Sequence, residues 1–219
     1  MKLLSLFSGI GAFEKALKNA NVDYDLVGFS EIDKFAIKSY CAIHGVDESL
    51  NLGDVSSIDV KLLPKNIDII VSGSPCQDYS VSGKGKGGDK GSGTRSSLMW
   101  YSVDIIKKVK PKYVIWENVK NVMSKKHIHN FNQYIEDLKE VGYTSYYKIL
   151  NAKDFGLPQN RERIYVISIL DDKHTFEFPQ GFPLKLKLKD ILEDSVEDKY
   201  YLSQEMQDRF FKFPQDRLN

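Results

Sequence analysis

The stretch Ile67-Asp68-Ile69-Ile70-Val71-Ser72-Gly73-Ser74-Pro75-Cys76-Gln77 decides the fold class and places a thiol within it. Its apolar first half predicts a buried strand of a parallel sheet. In open α/β sheets, ligands and chemistry gather at the carboxyl ends of strands, which is where Cys76 lies. Pro75 has a fixed φ and helps to hold the turn in one shape. This stretch alone fits two interpretations of Cys76, a nucleophile or an inert buried thiol.

The composition is that of a globular protein. The chain has 219 residues, 42% of them apolar, and a net charge of +1. This length suffices for one sizeable α/β core, no run is long enough for a membrane span, and the chain as a whole is not a basic nucleic-acid binder. Two cysteines are too few for a disulfide framework or a Cys-rich metal site, so we expect no metal. With no signal peptide predicted either, a cytoplasmic location is favoured.

The first residues predict a strand, a glycine turn and a helix. Residues 2–7 have the apolar character of a strand, and Phe7-Ser8-Gly9-Ile10-Gly11 leads into helix-favouring residues 12–20. This is how a nucleotide-binding βα unit begins, because glycines allow close backbone approach and a helix N-terminus is partly positive. The spacing differs from the full G-x-G-x-x-G, so a simple tight βα turn is an equally good interpretation.

Two acids follow at positions suited to a nucleoside. Asp25–Ser30 predicts the second strand, and Glu31 at its end can accept hydrogen bonds from ribose hydroxyls. The alternative is that Glu31 caps the next helix, predicted over residues 34–44. Residues 51–55 predict a short strand bringing Asp54 toward an adenine amino group, although this segment alone also resembles a loop. Together the acids favour a ribose-bearing cofactor.

Residues 82–94 contain six glycines and three lysines. Such a composition is typical of a flexible segment, which can be a disordered surface loop or a lid that closes over substrate. In the second case its lysines lie near phosphates. A helix is predicted to follow over residues 95–109.

A second catalytic candidate, Glu117, follows the strand predicted over residues 113–116. It lies on the same edge of the sheet as Cys76. A buried carboxyl has a raised pKa and can share a proton with a ring nitrogen. The alternatives are a helix N-cap and a surface charge; a helix is predicted over residues 127–142.

Two arginines precede the last predicted strand. Strands are predicted over residues 144–150 and 164–169, with Arg161 and Arg163 between them. On an extended segment both side chains point the same way, which suits a phosphate or a carbonyl near an anion. The alternative is a solvated strand start. The alternation of strands and helices predicts an α/β fold with a doubly wound, mostly parallel sheet.

The pattern weakens after residue 170. We therefore predict a cofactor-binding and catalytic domain over residues 1–170 and a C-terminal extension over 171–219. A helix is predicted over residues 200–211. This last part carries several large apolar side chains, which either pack on the chain's own core or form a surface that a partner covers: Tyr201, Leu202, Met206, Phe210, Phe211 and Phe213.

The ordered motifs resemble those of the DNA (cytosine-5) methyltransferases. They are Phe7-Ser8-Gly9-Ile10-Gly11, Glu31, Asp54, Gly73-Ser74-Pro75-Cys76-Gln77, Glu117-Asn118-Val119 and Gln159-Asn160-Arg161-Glu162-Arg163. The resemblance covers residues 2–170 and, more weakly, 187–207. It implies a Rossmann-like fold and S-adenosylmethionine as cofactor. It also implies cofactor contacts: Phe7, Gly9 and Gly11 in the pocket, Glu31 on the ribose, Ile32, Asp54 and Val55 beside the adenine, and Pro75 and Leu98 in the wall.

The resemblance also implies a reaction on double-stranded DNA. The Cys76 thiolate adds to C6 of a flipped-out cytosine and makes C5 nucleophilic toward the methyl group. Glu117 bonds ring N3 and the amino group, Arg161 contacts the base carbonyl, and Arg163 fixes the site.

The sequence departs from the family after the arginine motif. Family members carry a target-recognition region and two further motifs there, which this sequence does not show. One hypothesis is a truncated or split enzyme, with a second polypeptide supplying these parts. Transfer-RNA cytosine-5 methylation and a non-catalytic fragment that holds cofactor or partner are the alternatives.

Overall fold

A computed structural model describes residues 1–79, 86–171, 173 and 175–212. Its six-stranded sheet has the order β2-β1-β3-β4-β6-β5. The strands are β1 Lys2–Leu6, β2 Asp25–Ser30, β3 Ile69–Ser72, β4 Tyr113–Val119, β5 Thr144–Asn151 and β6 Glu162–Ile169. The α-helices are α1 Ala12–Asn19, α2 Lys34–His44, α3 Met99–Val109, α4 Ile128–Lys139 and α5 Gln204–Phe211. Apart from a strand predicted over residues 51–55, the strand and helix predictions are confirmed in type, with boundaries that agree or differ by up to four residues.

The sheet is doubly wound, as predicted. Leu4 and Ile70 face a core that contains residues of α3 and α4, whereas Leu3 and Ile69 face Phe13 and Leu17 of α1. Successive strand residues therefore bury opposite faces, which explains the nearly continuous apolar runs in β1 and β3.

Strand direction changes within the sheet. The pairs β1–β2, β1–β3 and β3–β4 are parallel, while β6 runs antiparallel to both β4 and β5. Val119 at the carboxyl end of β4 pairs with Arg163 near the start of β6. Because of this reversal, the beginning of β6 lies at the same edge as the carboxyl ends of β1, β3 and β4.

The strand predicted over residues 51–55 is wrong. Asn51 forms one isolated parallel bridge with Phe29, and Val55–Ser57 is a 3₁₀ turn. Gly53 has a φ of +70°, and the Asp54 carboxylate accepts the backbone N–H of Ser56. These two local features turn the chain out of the extended conformation.

The described part of 171–212 differs from what precedes it. None of its described residues is buried. Phe210 and Phe211 are 63% and 82% exposed, so these apolar side chains of α5 do not pack into the chain's own core. Phe213 lies outside the described residues. No helix in the described ranges has the length and apolar character needed to cross a bilayer.

Candidate active site

A cavity of about 340 Å³ opens at the carboxyl edge of the sheet. It is lined by every residue predicted for catalysis or cofactor binding except Gly9 and Gly11: Phe7, Glu31, Ile32, Asp54, Val55, Pro75, Cys76, Leu98, Glu117, Arg161 and Arg163. Residues that had not been predicted also line it: Ser30, Gly73, Ser74, Gln77, Arg95 and Val119. Three of these flank Cys76 in sequence, a signal that could have identified them.

The turn that carries Cys76 is held by β4. The Trp116 indole Nε1 donates to the Ser74 hydroxyl at 2.8 Å, and Asn118 Nδ2 donates to that hydroxyl at 3.1 Å and to the Ser74 carbonyl at 3.2 Å. All three side chains are buried. Buried polar groups that satisfy each other fix one geometry, so this cluster positions the half-buried Cys76. Sequence reasoning missed it, although Asn118 follows Glu117 directly.

The segment after Cys76 is tied to the start of α3. The backbone N–H of Asp78 donates to the Ser96 hydroxyl at 3.0 Å, and the backbone N–H of Ser96 donates to the Asp78 carboxylate at 3.1 Å. Asn121 also donates to the backbone carbonyl of Tyr79. The two bonds between Asp78 and Ser96 link the thiol turn to the 3₁₀ turn Arg95–Leu98, whose Leu98 lines the same cavity.

The predicted lid lies only partly within the described chain. Residues 80–85 are outside it. In the described part, Trp100 Nε1 donates to the Gly88 carbonyl at 2.7 Å, and Asn130 donates to the Asp89 carboxylate at 2.9 Å. The closing movement stays a prediction.

Glu117 and Arg163 form an ion pair in the cavity wall. Glu117 Oε1 lies 3.1 Å from Arg163 Nε, and the two side chains are 22% and 20% exposed. Burial raises the pKa of Glu117 above its ordinary value of 4.5, while the charges of Arg163 and Arg161 oppose that rise. A carboxyl with a raised pKa holds a proton at a higher pH than an ordinary Glu does.

The start of β6 is fixed from the neighbouring strand. Asn151 Oδ1 accepts the backbone N–H of Arg161 at 3.0 Å, and Arg163 Nη1 donates to the Glu162 carbonyl at 2.8 Å. Lys120 pairs with the Glu162 carboxylate at 3.0 Å. Both arginine side chains line the cavity as a result.

Glu31 is oriented by backbone donors. Its Oε2 accepts the N–H of Gly9 at 2.9 Å, and its Oε1 accepts the N–H groups of Ile32 and Asp33 at 2.8 and 2.9 Å. Gly9 therefore orients the acid rather than lining the cavity. The preceding Phe7 does line it, with a left-handed φ of +54° that a non-glycine residue adopts only at a cost.

Gly11 serves helix packing. It has a φ of +83°, and a Cβ added there would lie 2.1 Å from His44 Nε2 on α2. That nitrogen lies 3.0 Å from the Ile10 carbonyl. Gly11 is thus required for the approach of the glycine turn to α2, and the structure places it away from the cavity.

Asp54 keeps one carboxylate oxygen available. Its Oδ1 accepts the backbone N–H and the hydroxyl of Ser56 at 2.8 and 2.7 Å, bonds that lower its pKa. Oδ2 has no hydrogen-bond partner within the described chain. Glu31 and Asp54 are therefore acceptors at the cavity wall, which suits hydroxyl and amino donors of a nucleoside. The described residues contain no cluster of three or more His, Cys, Asp or Glu side chains suited to a metal.

Comparison with known proteins decides the family. The sequence profile of the C-5 cytosine-specific DNA methylases matches residues 1–217. The chain belongs to this family. The orphan methyltransferase M.Rho11sI of Bacillus phage rho11s is 43% identical over 94% of this chain and 46% of its own length. The orphan methyltransferase M.SPRI of Bacillus phage SPR is 41% identical over 100% of this chain and 56% of its own length. The type II methyltransferase M2.ScrFI of Lactococcus lactis is 38% identical over 92% of this chain and 70% of its own length. The chain thus spans about half to two thirds of the length of these methylases.

Solved structures agree on the fold. S. pombe Dnmt2 methyltransferase superposes with a TM-score of 0.72, at 22% identity, over 98% of this chain and 67% of that protein. Entamoeba histolytica methyltransferase EhMeth superposes with a TM-score of 0.74, at 21% identity, over 94% of this chain and 64% of that protein. The Rossmann-like methyltransferase fold is confirmed.

Proposed function

We propose that this chain carries the catalytic part of an enzyme that transfers a methyl group from S-adenosylmethionine to C5 of a flipped-out cytosine in double-stranded DNA. The observation that carries the proposal is one cavity lined by a thiol, a carboxyl with a raised pKa and two arginines, together with two further acids. Family membership supports the same chemistry.

The cavity has two parts, set by the strand order. The base half consists of Cys76, Glu117, Arg161 and Arg163, around β4 and β6. The cofactor half consists of Phe7, Glu31, Ile32, Asp54, Val55 and Leu98, around β1, β2 and the start of α3. Since β3 lies between β1 and β4, its turn with Pro75 and Cys76 joins the two halves.

The base half carries out the addition. The electron pair of the Cys76 thiolate forms a bond to cytosine C6, and ring electrons move toward N3 while C5 becomes nucleophilic. Glu117 forms hydrogen bonds with N3 and the exocyclic amino group, and thereby stabilises the charge that develops on the ring. Arg161 contacts the base carbonyl, and Arg163 holds the Glu117 carboxyl in place. After transfer, solvent water accepts the C5 proton, the electron pair of that C–H bond re-forms the C5–C6 double bond, and cleavage of the C6–S bond restores the thiolate.

The cofactor half fits S-adenosylmethionine. Glu31 accepts the ribose hydroxyls, the free oxygen of Asp54 accepts the adenine amino group, and Ile32 and Val55 flank the adenine ring. Pro75 and Leu98 complete the wall, with Gly9 and Gly11 shaping the turn. Bound there, the cofactor supplies an electrophilic methyl group.

We also propose that residues 1–170 form the catalytic domain and that residues 171–219 lead to a surface covered by a second polypeptide. Exposed apolar side chains in the described part of that region support a covering partner, since large exposed apolar patches mark interfaces. A net charge of +1 gives little general attraction to a polyanion, so DNA contacts from a partner help to offset the cost of base flipping.

The test is covalent trapping on duplex DNA that contains 5-fluorocytosine, with S-adenosylmethionine present. Elimination of the thiolate requires that C5 lose its proton, and a fluorine in that position cannot leave in the same way. We therefore expect a covalent protein–DNA adduct that survives denaturation. The assay is run with DNA and with transfer RNA, with the chain alone and with a polypeptide that carries the family's target-recognition region and C-terminal motifs. We expect trapping on DNA that increases strongly with the second polypeptide. Trapping on transfer RNA alone, or full sequence-specific activity of the lone chain, would contradict the corresponding part of the proposal.

A further inference from the structure

Neither the backbone conformation nor the packing at position 73 requires a glycine. Gly73 does not have a positive φ, so its backbone conformation is open to other residues. Its N–H donates to the Leu6 carbonyl at 3.3 Å, which continues the β1–β3 ladder. A Cβ built on it would lie 3.7 Å from the Phe7 carbonyl oxygen and 4.0 Å from Glu117 Oε2, which are ordinary contact distances. Alanine therefore fits the fold at this position.

The location of that unused space is informative. Gly73 lines the cavity and follows β3, the strand between β1 and β4. Among the described residues other than its chain neighbours, the Cβ would come within 4 Å only of Phe7 in the cofactor half and Glu117 in the base half. The carboxylate oxygen that it would approach is not the one paired with Arg163. Gly73 thus leaves a carbon-sized space where the two halves of the cavity meet.

We propose that Gly73 is required for methyl transfer, because its missing side chain keeps open the junction through which the methyl group reaches the pyrimidine ring. This inference rests on the proposed function and adds a role that neither the thiol nor the acids supply. A side chain at position 73 occupies the space shared by the two substrates while leaving the outer parts of each half unchanged.

The experiment compares wild type with Gly73→Ala and Gly73→Val, each assayed together with the polypeptide that restores transfer. We expect Gly73→Ala to keep a Tm equal to or above that of wild type, because replacing glycine at a compatible position restricts the unfolded chain. We expect its affinity for S-adenosylhomocysteine, which lacks the methyl group, to change by less than about threefold. Its kcat for methyl transfer should fall at least about tenfold, and that of Gly73→Val further.

Gly11→Ala is the matched control for a structurally required glycine. Its added Cβ meets His44 at 2.1 Å and its φ is +83°, so it should lower Tm and weaken cofactor binding together. An unchanged kcat in Gly73→Ala overturns the inference. So does a loss of S-adenosylhomocysteine affinity as large as the loss of kcat, because the added methyl would then obstruct the cofactor half alone.

Failure of the proposed function has a different signature. If wild type binds S-adenosylhomocysteine and cytosine-containing DNA but transfers no methyl group, the proposed function fails. The inference about Gly73 is then tested by measuring whether the two ligands bind at the same time. Adding S-adenosylhomocysteine should then weaken DNA binding by Gly73→Ala at least about fivefold relative to wild type, because two ligands compete for one space. Equal DNA affinities would overturn the inference.

Discussion

The two halves of the cavity hold their charged groups in different ways. In the cofactor half, Asp54 accepts the N–H two residues ahead, and Glu31 accepts the N–H groups one and two residues ahead besides the more distant one of Gly9. In the base half, Glu117 is paired with Arg163 from another strand, and the thiol turn is held by side chains more than forty residues away in sequence, as for Trp116 and Ser74. The first half is fixed mainly by local bonds and the second by tertiary contacts.

This difference has energetic consequences. Removal of one hydrogen bond between Glu31 or Asp54 and the nearby backbone should cost little free energy, because Asp54 is exposed and Glu31 only half-buried, so water can replace the lost bond. A partly buried ion pair is more sensitive, because removal of one partner leaves a poorly solvated charge. Substitutions should therefore have larger effects in the base half than in the cofactor half.

Removal of the thiol should have the largest effect. Cys76→Ser replaces the nucleophile with a hydroxyl that is a much weaker attacking group, so we expect methyl transfer and 5-fluorocytosine trapping to fall to background. Denaturing electrophoresis of the protein–DNA mixture measures this directly. Cys41→Ser is the control, since Cys41 lies on α2 outside the cavity and should leave the adduct intact. An adduct in the Cys76 variant would exclude Cys76 as nucleophile.

Glu117→Gln should come next. It removes the proton that Glu117 shares with ring N3, and we expect kcat to fall about 10²-fold or more. In wild type, kcat should also decrease as pH rises through the raised pKa of Glu117, because the protonated fraction declines. The variant should lose this pH dependence. A wild-type profile without that decrease would contradict the acid role.

The same group predicts a pH effect on stability. The folded state binds the Glu117 proton more tightly than the unfolded state, since the folded pKa is raised. Wild type should therefore lose unfolding free energy, relative to Glu117→Gln, as the pH rises from 4.5 through the folded pKa. Urea unfolding of both proteins across this range measures the difference, and a constant difference would contradict the raised pKa.

Asn118→Ala tests the tertiary support of the base half. It removes two hydrogen bonds to Ser74 and leaves buried groups unsatisfied, at a cost of about 1–3 kcal/mol in unfolding free energy. We expect trapping by Cys76 to slow because the turn is less well fixed, with cofactor affinity retained. An equal loss of cofactor affinity would show that the two halves are not separable.

Glu31→Ala and Asp54→Ala should have the smallest effects. Each removes acceptors worth about 1 kcal/mol, so S-adenosylmethionine affinity should fall about fivefold per substitution. Calorimetry in the presence of any required partner measures this. Unchanged affinity in both variants would place the cofactor elsewhere.

The sequence predicted local features better than tertiary ones. Apolar runs identified β1, β3 and β4, and Glu31 could be placed because its strand end precedes it directly. The hydrogen bonds from Trp116 and Asn118 to Ser74 could not be predicted, since they depend on how β3 and β4 pair. The strand wrongly predicted over residues 51–55 shows the converse, because the local bond from Ser56 to Asp54 overrides a weak extended tendency there.

The position of β6 has a consequence for the order in which the molecule assembles on the ribosome. β5 is synthesised before β6, yet β6 lies between β4 and β5 in the sheet. Until β6 emerges, both β4 and β5 have an unpaired edge, and such edges favour aggregation in partly made chains. The strand that covers these edges also brings Arg163 to Glu117. The sheet and the ion pair are therefore completed together during translation. A nascent chain that ends before β6 has neither the complete sheet nor the ion pair.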